Sequence, residues 1–171
     1  MIMVTETLRH TPVWVYFIFV YLLYVGIRSM KARVMSVKRI VIMPLVFIIW
    51  SGVSMALSGR FETVIVGWIA LLPFGMLAGY IQTRRFDIQV NRKLGRIKIP
   101  GTISTLVIIA LTFSFKYFAG FMNAVYPDIA NGNVFQPTIF AVSGFFTGIF
   151  VGRMILYLHR FNTSAESDVI A

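Results

Sequence analysis

Cysteine is absent from this chain, and acidic residues and histidine are scarce, with six Asp and Glu and two His in all. Without thiols there can be no disulfide, thiolate metal site, iron–sulfur cluster or cysteine nucleophile. The two histidines, His10 and His159, lie at opposite ends of the sequence, so they offer no matched pair for a haem held between helices. We therefore predict no metal and no cofactor.

A catalytic constellation is also missing. Residues 141–144, Ala-Val-Ser-Gly, superficially resemble the serine motif of rhomboid proteases. His159 is more than four turns away on the same predicted helix, and the sequence offers no second candidate base. We therefore expect a protein that is not an enzyme.

Apolar residues, by contrast, make up 58% of the 171 residues, and the mean hydropathy is +0.81. A soluble domain of this size could not bury so much apolar surface in one core, so we expect the chain to use lipid as its solvent. A membrane span needs about 20 residues, and five such runs use nearly the whole length, which predicts one integral membrane domain over residues 1–171. The predicted helices cover residues 12–28, 37–57, 63–81, 102–122 and 137–158.

Two prolines and a short turn add detail to these helices. Pro44 is expected to kink the second helix or to mark its effective start, and Pro73 is expected to kink the third. The turn at 58–62 is tight, which predicts that the second and third helices are antiparallel neighbours.

The longest polar stretch lies between the third and fourth helices and predicts a small β-hairpin at about 86–100. Ile88 and Val90 alternate with polar residues before the turn sequence Asn-Arg-Lys-Leu-Gly, and Ile97 and Ile99 do so after it. The apolar face of this hairpin could rest on the helix ends or on the lipid surface. Its basic side chains are expected to meet lipid headgroups, and they are Arg92, Lys93, Arg96 and Lys98.

Basic residues are concentrated in the first and third connections, at 28–39 and 84–98, whereas the second and fourth carry little net charge. Lys and Arg accumulate in short cytoplasmic loops. This pattern predicts five spans in the bacterial inner membrane, with the N-terminus outside and the C-terminus in the cytoplasm. The basic residues behind the net charge of +10 are therefore expected to bind anionic lipid headgroups and not nucleic acid.

Glycine recurs every four residues on the fifth predicted helix, as Gly144, Gly148 and Gly152, and Gly75 and Gly79 form a shorter stripe on the third. Such stripes allow another helix backbone to approach closely. One interpretation is an interface with a second copy or with another membrane protein. The other is packing within the monomer, for which a contact between the third and fifth helices is the natural choice.

Lys116 is the one basic residue well inside an apolar run, about two turns from the outer end of the fourth helix. With its neighbour Tyr117 it is a candidate for binding a ligand or a proton. The alternative is that its ammonium reaches the outer interface and pairs with Glu62 or Asp128. Arg153, near the cytoplasmic end of the fifth helix, is expected to extend its guanidinium to the interface.

Several sequence motifs resemble those of a known protein family. They are His10-Thr11-Pro12 with Trp14 and Val15 at the first helix, the hairpin with its Asn91-Arg92 and Pro100-Gly101-Thr102 segments, and Phe115-Lys116-Tyr117. Over most of its length the chain resembles a bacterial family of five-helix inner-membrane proteins defined by a domain of unknown function. In layout it is more distantly similar to the CcdC-like proteins. The resemblance implies no catalytic residue, and Lys116 with Tyr117 is the candidate site within it.

Two functions are consistent with the sequence. The first is a non-enzymatic accessory, assembly or homeostasis factor whose glycine stripe engages a partner or a second copy. The second is a permease for small molecules or anions, in which Lys116 near the outer mouth receives a negatively charged group.

Overall fold

A computed structural model describes residues 13–164 of the chain. His10, Thr11 and Pro12, which the sequence places at the start of the first helix, lie outside the described residues. The elements in chain order are α1 Val13–Arg28, β1 Arg33–Ser36, α2 Val37–Leu57, α3 Phe61–Thr83, β2 Gln89–Asn91, β3 Arg96–Ile99, α4 Ile103–Val125, α5 Pro127–Ala130 and α6 Phe135–Thr163.

The fold is mostly helical, as predicted, and four of its helices are long and apolar enough to cross a membrane. These are α2, α3, α4 and α6, with 21 to 29 residues each. A span needs about 20 residues. The described part of α1 has 16 residues and is shorter than that length.

The described residues form two compact units. The first unit contains α1, α4 and α5, and its centre is the contact between α1 and α4. Phe19 meets Phe113 with ring centroids 5.1 Å apart, and Gly26 leaves room for the side chain of Leu106. At one end of this contact the backbone N–H of Thr102 donates to the carbonyl of Ser29 over 3.1 Å.

The second unit contains the other helices and the sheet, and its most extensive contact joins α3 to α6. Gly144, Gly148 and Gly152 of α6 lie directly against the α3 backbone. A Cβ on Gly148 would lie 2.8 Å from the Met76 nitrogen and 3.0 Å from the Cα of Gly75. Gly75 and Gly79 approach the α6 backbone equally closely, so the two helices touch without intervening side chains.

The order of these contacts shows that α3 and α6 are parallel. Gly144 lies against Trp68 and Gly152 against Met76, so both residue numbers rise together along the contact. The chain between the two helices must therefore return to the end at which α3 begins.

Helix α2 contacts α3, its predicted neighbour, but its larger contact is with another helix. A short turn at 58–60 does join the two helices, and Gly59 in that turn has a φ of 67°. However, α2 makes more of its contact with α6, where the rings of Phe47 and Phe150 stack 4.8 Å apart. Helix α2 begins at Val37, so Pro44 lies inside it and does not mark its start.

The predicted hairpin is present, but it is part of a three-stranded antiparallel sheet with the order β1-β3-β2. The prediction missed β1, which pairs Val34 with Lys98. Gly95 in the hairpin turn has a φ of 60°, which favours glycine, and its carbonyl accepts the backbone N–H of Val37. The apolar core of the sheet is Ile88, Val90, Ile97 and Ile99, together with Ile40 of α2.

A methyl group at Gly148 tests the contact between α3 and α6. Gly148→Ala should destabilise the protein by about 1–3 kcal/mol, because the new Cβ overpacks against backbone that cannot rotate away. Gly52→Ala is the matched control, because nothing lies within 4 Å of its added Cβ and replacing a helical glycine should stabilise by about 0.5–1 kcal/mol. Thermal unfolding in detergent measures both changes, and equal melting temperatures for the two variants would contradict the contact.

Candidate functional site

Lys116 is an exposed residue of α4. The neighbouring Tyr117 is half-buried, and its ring stacks with Phe113 at a centroid distance of 6.3 Å. Phe113 in turn contacts Phe19 of α1. A small apolar cavity lies between α1 and α4 on this side of α4, and Leu106 and Ala110 are among the residues that line it. Lys116 is rotated about 100° from Tyr117 around the helix and is not one of the residues that line this cavity.

Lys116 lies nine residues before Val125, the last residue of α4, which is about 14 Å along the helix axis. The acidic residues proposed to pair with it are both exposed. Asp128 lies in α5 of the same unit, whereas Glu62 lies in the first turn of α3, in the other unit. Negative charge in the first turn of a helix is favourable on its own account, because it complements the helix dipole. The pairing of Lys116 stays a prediction.

Arg153 is placed differently from the prediction that its guanidinium reaches the interface. Its side chain is only 6% exposed, and its Nη2 donates to the Gln82 Oε1 on α3 over 2.6 Å. The cause is the length of α6, which ends at Thr163 and not at Leu158. Arg153 is therefore about 15 Å from the helix end, and Gln82 is the closer polar partner.

Two arginines lie on the carbonyl ends of the long helices. Arg92, from the hairpin turn, donates from Nε to the Phe161 carbonyl over 2.9 Å and from Nη2 to the carbonyls of Asn162 and Ser164 over 2.6 and 2.8 Å. Arg160 donates to the carbonyl of Arg84 at the end of α3 over 3.4 Å. The last carbonyls of a helix have no partner inside the helix and carry partial negative charge, so both guanidiniums stabilise these ends.

The sheet has an apolar inner face and a basic outer face. The inner face packs against one side of the last turns of α6, through Met154, Tyr157 and Phe161. On the outer face Lys98 is half-buried and lies between Val34 and Gln89, while Arg96 is exposed. We call this outer face, together with the exposed Lys93 of the turn, the basic face of the sheet.

The four residues predicted to meet lipid headgroups thus have different surroundings. Lys93 and Arg96 are exposed, Lys98 is half-buried, and Arg92 uses its donors on the end of α6. No local sequence pattern indicates this capping role, because the capped carbonyls lie about 70 residues further along the chain. The one available signal was that arginines are common partners for helix ends.

The second unit presents an accessible basic surface, which can attract anionic groups. Within residues 13–164, no three His, Cys, Asp or Glu residues come close enough together to hold a metal ion. Arg92, Arg153 and Arg160 instead bind neighbouring parts of the second unit. What remains accessible around them is a set of exposed basic residues, which attract anionic groups.

The comparisons with known proteins give one result at the level of the family. A family model described as a family of unknown function (DUF6622) matches residues 1–166. No curated protein and no solved structure matches the chain. The resemblance to an uncharacterised family is confirmed by this match, whereas the similarity in layout to the CcdC-like proteins stays a prediction.

The capping of α6 by Arg92 can be tested by substitution. Arg92→Ala should lower the free energy of unfolding by about 1–2 kcal/mol, because three carbonyls lose a charged donor at a solvated site. Arg92→Lys should recover part of this loss, since an ammonium keeps the charge but not the planar set of donors.

Lys93→Ala is the control, because Lys93 is the exposed neighbour in the same turn and should change stability by less than about 0.5 kcal/mol. Thermal unfolding followed by circular dichroism measures all three variants. The capping role is wrong if Arg92→Ala and Lys93→Ala unfold at the same temperature.

Proposed function

We propose that this chain, which belongs to the DUF6622 family, is a five-span protein of the bacterial inner membrane that acts as a non-enzymatic accessory, assembly or homeostasis factor. Four of the spans correspond to helices with the required length and hydropathy. We assign the fifth to α1, whose described part covers Val13–Arg28.

The proposed topology has the N-terminus outside and the C-terminus in the cytoplasm. The basic connections support it, because positive charge is retained on the cytoplasmic side. The parallel direction of α3 and α6 supports the proposed number of spans, since two parallel spans need an odd number of crossings between them and α4 can supply one. The sheet and the capped helix ends then lie at the cytoplasmic surface.

The observation that carries the accessory role is the way the second unit uses its arginines. Arg92 and Arg160 bind carbonyls at the ends of helices, and Arg153 joins α6 to α3. These contacts hold the basic face of the sheet in a fixed position. The exposed basic residues of the second unit include Lys38, Arg39, Arg85, Lys93 and Arg96. We propose that they bind anionic lipid headgroups and position the protein for a membrane partner.

The glycine stripe does not provide the partner surface in this proposal. Gly144, Gly148 and Gly152 are already in contact with α3, so a second copy or another protein would have to bind elsewhere. This observation favours the packing interpretation of the stripe over the oligomer interpretation.

A permease that uses Lys116 is the second candidate. It is supported by the position of Lys116, which is exposed and lies well inside a helix long enough to span the membrane. An ammonium at such a depth is costly and is usually retained for a function.

One complementation experiment separates the two candidates. In a strain that lacks the gene, Lys116→Met should restore every growth or transport phenotype of the deletion, because the accessory role does not use this ammonium. Lys38→Glu with Lys93→Glu should restore none, because the reversed charges repel anionic headgroups. The opposite result, with the Lys116 variant inactive and the double variant active, would replace the accessory role by the permease. Immunoblotting of membranes controls for equal expression.

A further inference from the structure

The three-stranded sheet has an accessible edge at strand β1. In the order β1-β3-β2, β1 pairs with β3 on one side, and within residues 13–164 no strand pairs with its other side. The side chains of Val34 and Ser36 are exposed, Val34 to 46%. The opposite edge strand, β2, is different, because Val90 and Asn91 are only 0% and 8% exposed. Of the two edge strands, β1 is therefore the one that can accept a further strand.

The register of the sheet shows which backbone groups of β1 point away from β3. The backbone N–H of Val37 donates to the carbonyl of Gly95, and these two residues continue the register of β1 and β3, so they form a hydrogen-bonded pair. Such pairs alternate along an antiparallel ladder with pairs that are not hydrogen-bonded. Val34 and Ser36 belong to the second kind. Their N–H groups, and the carbonyl of Val34, therefore point to the open side.

The surroundings of this open side are strongly basic. The two β3 residues that pair with the outward-pointing positions are Lys98 and Arg96, and the first turn of α2 adds the exposed Lys38 and Arg39. No Asp or Glu occurs within residues 28–61. Basic side chains at an edge repel other basic strands, including β1 of a second copy, and attract acidic ones.

We propose that β1 binds an extended acidic segment of a partner protein, which adds a fourth, antiparallel strand to the sheet. The existing strands are antiparallel, and antiparallel pairs are the commoner kind. This proposal rests on the proposed function, which places the sheet at the cytoplasmic surface, and it names the chemistry of the partner. Binding of a strand to an exposed sheet edge is a general mode of peptide recognition.

The geometry places the acidic side chains of such a segment on the basic face. The residues opposite Val34 and Ser36 form the new backbone hydrogen bonds, and their side chains lie on the same face as those of Val34 and Ser36. Strands are about 4.8 Å apart, so β3 is about 10 Å from the added strand. A carboxylate and a long basic side chain together can bridge that distance.

A synthetic peptide tests the proposal on the unmodified protein. The probe is a short fluorescent peptide in which Glu alternates with Thr, and it is added to the full chain in nanodiscs of neutral phosphatidylcholine. N-methylation of the Glu residues removes the N–H groups that face β1 and should weaken binding about tenfold or more. N-methylation of the Thr residues is the matched control and should weaken binding much less, because those N–H groups face away from β1.

Fluorescence anisotropy measures the affinities. The proposal is overturned if the unmethylated peptide does not bind, or if the two methylated peptides bind equally well. Binding that weakens with added salt but is the same for both methylated peptides would leave the basic residues to anionic surfaces such as lipid headgroups.

A substitution in β1 tests the same contact from the side of the protein. Val34→Pro removes an outward N–H, which an edge strand tolerates because no hydrogen bond to β3 is lost. It should weaken binding of the acidic peptide about tenfold. Val34→Ala keeps the N–H and should bind the peptide like the unmodified protein. Thermal unfolding shows whether both variants are folded, and an unchanged affinity of folded Val34→Pro contradicts the proposal.

Charge reversal tests the electrostatic part. Lys38→Glu with Arg39→Glu should weaken binding of the acidic peptide several-fold and strengthen binding of a peptide in which Lys replaces Glu. Equal affinities before and after this change would show that the basic side chains do not select the segment. All these assays use purified protein, so their results do not depend on the topology. A reporter that places the hairpin turn outside the cell would contradict the proposed function and leave the affinities unchanged.

Discussion

Two helix backbones can touch only where side chains are absent, and α6 meets this condition at three positions four residues apart. Gly144, Gly148 and Gly152 lie against the backbone of α3, and a Cβ at any of them would collide with backbone atoms. No rotation of a side chain could relieve such a collision. The separation of the two helices and their parallel direction are therefore set by this contact.

The rest of the second unit is built on this pair of helices. Because α6 extends beyond the end of α3, its last turns offer an apolar side to the sheet through Met154, Tyr157 and Phe161. The same offset brings Arg160 to the end of α3, and the hairpin turn then brings Arg92 to the end of α6. The basic face of the sheet is held in place as a consequence of helix packing.

The sequence predicted the parts of this structure that have a local pattern. The glycine spacing of four residues and the alternation around Ile97 are both visible over a few residues. Strand β1 has no such pattern, because Val34 is on the exposed side and Arg33 on the inner side. Its paired residues in β3 are also at least 60 positions away along the chain, so only the folded chain shows the pairing.

The predictions for single charged residues depended on where helices end. Arg153 was expected at the interface because the helix was expected to stop at Leu158, and five additional residues of α6 place its side chain against Gln82 instead. For Lys116 the sequence shows the depth in the helix, and the structure adds that it lies outside the lining of the cavity between α1 and α4.

The parallel contact between α3 and α6 can be measured directly in lipid by electron–electron double resonance. Spin labels are attached to cysteines introduced at Ile81 on α3 and at either Ile155 or Thr138 on α6, all of which are exposed. The two α6 positions are about 25 Å apart along the helix. If α3 and α6 are parallel, the distance from Ile81 to Ile155 should be short and narrowly distributed, and the distance from Ile81 to Thr138 should be clearly longer. Equal distances, or a shorter distance to Thr138, would contradict the parallel contact.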